Sequence, residues 1–151
     1  MLERFTQRAR RVVVLATQEA RSRQHETVGP AHLLMAILRD GAGLAVGVLR
    51  RLAVDTEILR TDVERVLGRT PASVLSGDPD FSAELKAVLA ATIEEQWRHH
   101  HNWVGTEHLL LGLLDARSTV NDVLRGAGVD LDEARQMTLR LLRPRAFPTS
   151  A

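Results

Sequence analysis

The chain contains no cysteine, which excludes disulfide staples, thiolate zinc sites, iron–sulfur ligation and a thiol nucleophile together. It has no tyrosine, and only 3% of its residues are aromatic, a thin supply for the base-stacking platforms of nucleic-acid readers. No charge of one sign dominates, with 20 basic against 19 acidic side chains, so no net field draws the protein to a polyanion or a membrane surface. No apolar run approaches the roughly eighteen residues of a membrane span, and the start Met1-Leu2-Glu3-Arg4-Phe5 lacks the apolar stretch of a secretory signal. A cytoplasmic protein with no membrane partner is the expectation. A Gly-x-x-x-x-Gly-Lys-Ser/Thr phosphate loop and a Gly-x-Ser-x-Gly elbow are both missing, which removes the usual signatures of nucleotide hydrolysis and serine hydrolase chemistry. No enzyme activity and no cofactor are expected.

What remains is 151 residues, 44% of them apolar, enough for a continuous core. The chain repeats itself. Phe5-Thr6 is matched by Phe81-Ser82, Glu19 by Glu95, and Val28-Gly29 followed by His32-Leu33-Leu34 by Val104-Gly105 followed by His108-Leu109-Leu110, all at an offset of 76. Val48-Leu49 and Val54-Asp55 match Val123-Leu124 and Val129-Asp130 at 75, so one residue is lost from a loop between them. The stretch 69–80, with Pro71, Ser73, Ser76, Gly77 and Pro79, reads as a linker. Repeat 1 thus covers 1–68 and repeat 2 covers 81–142 within one domain, and Pro144 and Pro148 set off a loose tail over 143–151.

Each repeat reads as four helices. Thr6 caps a helix to about Arg23, and a second starts at Gly29-Pro30 and stops before Gly41. Leu44–Leu52 is short, and Asp55 caps a helix to Leu67. In the second copy Ser82 caps a helix to about His99, Thr106 caps one to Asp115, Val120–Arg125 is short, and Asp130 opens the last, to Leu142. No strand alternation competes. The fold class is all-α, two four-helix repeats packed about a pseudo-twofold axis. The core is assigned to Val12, Leu15, Leu33, Leu34, Ile37, Leu38, Leu49, Val63 and Leu67, facing Val88, Leu89, Leu109, Leu110, Leu113, Leu114, Leu124, Ala134 and Leu141.

The opening Met1-Leu2-Glu3-Arg4-Phe5-Thr6-Gln7-Arg8-Ala9-Arg10-Arg11-Val12 and the segment Val104-Gly105-Thr106-Glu107-His108-Leu109-Leu110 resemble the N-terminal repeat domain of ClpC-type Hsp100 unfoldases. The resemblance runs from Met1 to about Leu142 with the duplication in order. It implies a domain that receives client proteins, peptides and adaptors for an ATP-driven ring coupled to a protease. The missing phosphate loop and the two-proline tail suggest a stand-alone paralogue without ATPase modules, acting as a client tether or as a decoy that regulates Clp proteolysis. The resemblance further implies recognition of arginine-phosphorylated proteins, one site per repeat. The Glu of Gly-Thr-Glu-His would grip the guanidinium, and helix N-terminal N–H groups with a capping hydroxyl would take the phosphate. The candidates here are Glu107, Thr106, Thr6 and Ser82. The first copy departs, with Pro30 and Ala31 at the Thr and Glu positions, and Ala83-Glu84 stands in the second copy where the first has Gln7-Arg8. Without the acid a buried guanidinium lacks compensation, and Glu84 would repel a phosphate.

Other features divide between function and packing. Glu107 in a first helical turn serves the helix dipole as well as a ligand. His32 and His108 face inward at matched places and suit structural hydrogen bonds. His99-His100-His101 point about 100° apart on a helix and lack metal-ligand spacing, so no metal site is expected. Trp97 and Trp103 could anchor a partner or pack between repeats. Leu2, Phe5, Val13, Val14 and Phe81 are candidates for an apolar peptide-binding patch, with core packing as the alternative, favoured for Phe5 and Val13. Arg4, Arg8, Arg10 and Arg11, with Arg140, Arg143 and Arg145, form basic faces, read as solvated or as docking to an acidic partner. A small helical nucleic-acid-binding regulator is the second reading from another class.

Overall fold

The computed structural model describes residues 2–69, 71–73, 77–116 and 118–142. The tail 143–151, with Arg143 and Arg145, lies outside them, as does Ser76 of the linker. Helices α1 (Gln7–Ser22), α2 (Pro30–Asp40), α3 (Leu44–Arg51) and α4 (Thr56–Gly68) precede α5 (Ala83–Arg98), α6 (Thr106–Asp115), α7 (Thr119–Gly126) and α8 (Leu131–Leu142). Two-residue strands β1 (Thr27–Val28) and β2 (Asp80–Phe81) lie before α2 and α5. No single helix among the described residues is long and apolar enough to cross a membrane.

The helix starts follow their capping chemistry. The Thr6 hydroxyl accepts from the Ala9 N–H at 3.1 Å and the Ser82 hydroxyl from the Leu85 N–H at 3.0 Å. Asp55 accepts from the N–H groups of Glu57 and Ile58, and Asp130 from that of Glu133. Each satisfies donors that the first helical turn leaves without partners. The expected cap at Thr106 is corrected: Gly105 is the N-cap of α6, as Gly29 is of α2, and Thr106 is the first helical residue. The capping work passes to histidine. Nδ1 of His32 accepts the Gly29 N–H at 2.9 Å, and Nδ1 of His108 accepts the Gly105 N–H at 2.9 Å.

α1 lies along α2 and α5 along α6. Helices α2 and α6 are the interior members, buried without interruption over Leu33–Leu38 and Leu109–Leu114, as expected of helices covered on all sides. The assigned core residues are buried except Leu15 and Leu141, which pack against it from partly exposed positions. Those two sit at the edge of their helical stripes, where the apolar face meets solvent.

Polar clusters fix the outer helices. Glu19 on α1 pairs with Arg39 of α2 and with Arg23, and Arg23 also pairs with Glu64 of α4. Its repeat mate Glu95 is 1% exposed and holds Arg98, His99 and, at 2.8 Å, Arg135 of α8, which reaches Asp115 of α6 at 2.6 Å. Burial alone would raise the Glu95 carboxyl, but hydrogen bonds from Asp115 and Arg135 hold it well below the usual range.

The repeats are stitched by reciprocal backbone pairings, which the sequence did not signal. β1 pairs in parallel with β2, Thr27 opposite Asp80 and Val28 opposite Phe81. Phe5 makes the equivalent parallel bridge to Val104. The Thr6 N–H donates to the Val104 carbonyl and the Ser82 N–H to the Val28 carbonyl, both at 2.9 Å. The start of each repeat is thereby sewn to the middle of the other.

Candidate functional site

Because of this stitching, the N-terminus of α1 stands beside that of α6, and the N-terminus of α5 beside that of α2. Each pair of helix ends makes a composite site to which both repeats contribute. Paired helix starts present unsatisfied N–H groups and partial positive charge, a setting that suits anions.

The first composite site contains Thr6, Arg8, Gly43, Gly105, Thr106 and Glu107. Thr106 is buried, and its hydroxyl accepts the Ala45 N–H at the start of α3 at 3.3 Å. It is therefore a joint between the repeats, which corrects its assignment as an accessible ligand group. Gly43, at φ +92°, lets α3 approach: a Cβ there would stand 2.9 Å from both Arg8 Cδ and Thr106 Oγ1. Arg8 is thus held close to Thr106, and its guanidinium donates to Asp40 at 2.9 Å. Sequence reading placed Arg8 on a solvated basic face; its partner lies 32 residues away, a distance no local pattern encodes.

Glu107 folds back over Gly105, where a Cβ would overlap its carboxylate. Its side chain is only 15% exposed, and burial pushes its carboxyl above the usual range, partly offset by its own backbone N–H. The nearest ring nitrogen, His108 Nδ1 at 3.4 Å, already accepts the Gly105 N–H and so carries no proton. No arginine or lysine pairs with Glu107 among the described residues. A desolvated carboxylate without a cation is a costly arrangement, and one that an incoming guanidinium would relieve.

The second composite site has Ser82 and Glu84 from α5 and Gly29, Pro30 and Ala31 from α2. A cleft of about 410 Å³ opens here, lined also by Thr119 of α7, Val66 and Leu67 of α4, and residues 71–73. Ala31 supplies no carboxylate and Pro30 no N–H, so the Glu107 carboxylate has no counterpart here.

Behind each site is a histidine pair. His32 Nε2 lies 2.7 Å from His25 Nδ1, and His108 Nε2 lies 2.8 Å from His101 Nδ1. With Nδ1 of the helical histidine accepting a backbone N–H, the neutral ring carries its proton on Nε2 and donates it to the partner histidine. Burial drives the pKa of both His32 and His108 down to about 4. His25 was missed from sequence and His101 was legible only as part of the His99-His100-His101 run, although the two fall at the same offset of 76.

The proposed apolar patch is largely dispersed. Phe5 and Val13 are core residues, because the Phe5–Val104 bridge and the inward face of α1 bury them. Leu2 and Phe81 are partly buried against that core, and Val14, 50% exposed, is the one of the five left largely in solvent. Trp97 and Trp103 are 73% and 57% exposed and do not pack between repeats.

Comparison with known proteins follows this geometry. A family model described as the Clp repeat N-terminal domain matches residues 4–127, and again 94–146. The chain is 40% identical over 143 residues to a probable ATP-dependent Clp protease ATP-binding subunit of Chlamydia pneumoniae, covering 94% of this chain and 17% of that protein. It is 35% identical over 152 residues to the negative regulator of genetic competence ClpC/MecB of Bacillus subtilis, covering 100% of this chain and 18% of that protein. The 151 residues therefore span less than a fifth of these relatives. Among solved structures, the Hsp104 N-terminal domain from Candida albicans superposes with a TM-score of 0.85 at 21% identity, covering 95% of this chain and 94% of that one. A ClpV N-domain in complex with a VipB peptide gives 0.73 at 15% identity, covering 96% and 91%. At these identities the likeness is one of fold.

Proposed function

The chain belongs to the Clp repeat N-terminal domain family, and from that premise we propose that it is a protein- and peptide-binding module. It receives client or adaptor segments for the Clp system, either tethering them to the machine or competing for them as a decoy, in the cytoplasm. Support for a peptide ligand comes from the ClpV N-domain of the same fold, solved with a VipB peptide.

The observation that carries the reading is Glu107, a desolvated carboxylate with no cationic partner among the described residues. It stands beside two helix N-termini, one of which carries Arg8 in the first turn of α1. A phosphorylated arginine matches both parts, with its guanidinium on Glu107 and its phosphate on the helix-end N–H groups, the Thr6 hydroxyl and Arg8. One working phosphoarginine site, at Glu107, is the specific proposal. Against a nucleic-acid partner, Arg23, Arg39, Arg98 and Arg135 are committed to acids, which lowers the free positive charge available for phosphate contacts.

Titration of a phosphoarginine peptide into wild type and Glu107→Ala tests this. A loss of at least about tenfold in affinity is expected, the minimum for removing one side of a charge-assisted pair. Equal binding by the two proteins would remove the proposal.

A further inference from the structure

The two composite sites differ in charge at matched positions. By the repeat offset of 76, Glu84 occupies the place of Arg8, and Ala31 that of Glu107. The first site keeps a cation beside its helix ends; the second has replaced it with an acid.

The cleft at the second site is built for a long side chain. Pro30, Ala31, Val66, Leu67 and Pro71 give it apolar walls, within a volume of about 410 Å³. Among the described residues, Glu26 and Glu84 are the charged groups lining it, and no arginine or lysine does so. Both carboxylates are exposed, and neither pairs with a cation among the described residues. The Ser73 hydroxyl on the same wall is buried and has no hydrogen-bond partner among the described residues. The helix ends are weaker anion sites here than at Glu107. Pro30 removes one N–H from the first turn of α2, while the caps are the same at both sites: the Gly29 and Gly105 N–H groups are each taken by a histidine, and the Ser82 and Thr6 hydroxyls each accept from their own helix.

We propose that this cleft takes an unmodified basic side chain, arginine or lysine, from a client polypeptide. The aliphatic stem lies along the apolar walls while the charged head stays at the rim between Glu26 and Glu84. A phosphorylated arginine is rejected, because its phosphate meets Glu84 where the first site offers Arg8. The chain then reads two states of one residue, phosphorylated at Glu107 and unmodified at Glu84. The inference rests on the reading of the chain as a peptide-binding module, but not on the phosphoarginine site.

The test uses the whole chain, isotope-labelled, titrated with three capped peptides identical except for a central arginine, citrulline or phosphoarginine. Citrulline keeps the shape of arginine and removes its charge. The arginine peptide is expected to shift the amides of Ala31, Ser82, Glu84 and Thr119. The citrulline peptide is expected to bind at least tenfold more weakly, and a lysine version to shift the same amides. The double substitution Glu26→Gln with Glu84→Gln, on exposed positions, should lose the same factor, with an unchanged far-ultraviolet spectrum showing that it folds. Equal affinity for arginine and citrulline would overturn the proposal, as would arginine-induced shifts centred on Glu107 or no binding of the arginine peptide. Glu107→Ala separates the two readings: it should abolish phosphoarginine binding and leave the arginine titration at the cleft unchanged.

Discussion

Acid should loosen this protein through two histidines in particular. His32 and His108 are buried, and each has a pKa lowered from 6.5 to about 4, chiefly by burial. The folded state therefore refuses a proton that the unfolded chain accepts. Their stabilising contribution is full above pH 6.5, falls as the pH drops through 6.5, and is exhausted near 4. At about 1.4 kcal/mol per pKa unit, each site gives up roughly 3 kcal/mol over the whole window and about 2 kcal/mol between pH 7.5 and pH 5. Two such losses, about 4 kcal/mol at pH 5, are a large part of the 5–15 kcal/mol typical of a domain. Other groups titrate in the opposite sense: burial raises Glu107 and Asp115, and protonating them favours the folded state. The histidine contribution is isolated by comparing wild type with a His32→Gln, His108→Gln double substitution. Glutamine at the third helical position still accepts the N-cap N–H, as in a capping box, but does not titrate. Urea unfolding followed by circular dichroism at both pH values should show wild type losing about 4 kcal/mol more than the variant. If the two lose the same stability, the buried imidazoles are not what makes the fold acid-sensitive.

Three further outcomes follow from local geometry. Ala53 sits at φ +60°, and its repeat mate Gly128 at +87°, so Ala53→Gly should raise stability by about 0.5–1 kcal/mol in urea unfolding, the left-handed strain outweighing the added chain entropy. Gly105 has an ordinary negative φ, so Gly105→Ala should leave the fold intact, displace the Glu107 carboxylate that lies over it, and weaken phosphoarginine-peptide binding in a titration. With Trp97 and Trp103 mostly in water, acrylamide should quench folded and urea-unfolded protein nearly alike; strong protection in the folded state would place one of them in an interface.

How much of this was legible in the sequence depends on the range of the interaction. The duplication, the helices and the caps Thr6, Ser82, Asp55 and Asp130 are local patterns and could be read directly. Thr106 misled because a hydroxyl at a helix start usually caps. Here His108, two residues on, takes the Gly105 N–H, while the threonine hydroxyl is used across the repeat boundary by Ala45. The two-residue strands were illegible because Thr27–Val28 and Asp80–Phe81 are too short to alternate. The equivalent Phe5–Val104 bridge also buries Phe5, which a local reading could leave on a surface patch. Glu107 was legible through its motif, but its lack of an arginine or lysine partner among the described residues was not, since that depends on where every arginine finds its acid.

The internal duplication offers a control that a single-copy domain lacks, because matched positions sit in the same backbone setting. Gly29 and Gly105, His25 and His101, and His32 and His108 are identical and make the same contacts in both copies. Gln24 and His100 differ as residues yet share a left-handed turn, at φ 56° and 55°. Packing and capping therefore hold these places to one answer twice. Arg8 against Glu84 and Glu107 against Ala31 differ in charge at the two composite sites, and Gly43 and Ser118 differ at the N-caps of α3 and α7, while the helices around them keep the same arrangement. Substituting these positions costs the fold little where Ala31 replaces an acid, since losing an unpaired buried carboxylate removes a desolvation penalty. Retaining Glu107 in the other copy keeps that penalty in place, which fits the proposal that a cation brought by a ligand offsets it. A stability comparison makes the point measurable: Glu107→Ala should leave the unliganded protein as stable as wild type or more so, and a marked destabilisation would mean that the acid serves the helix start instead.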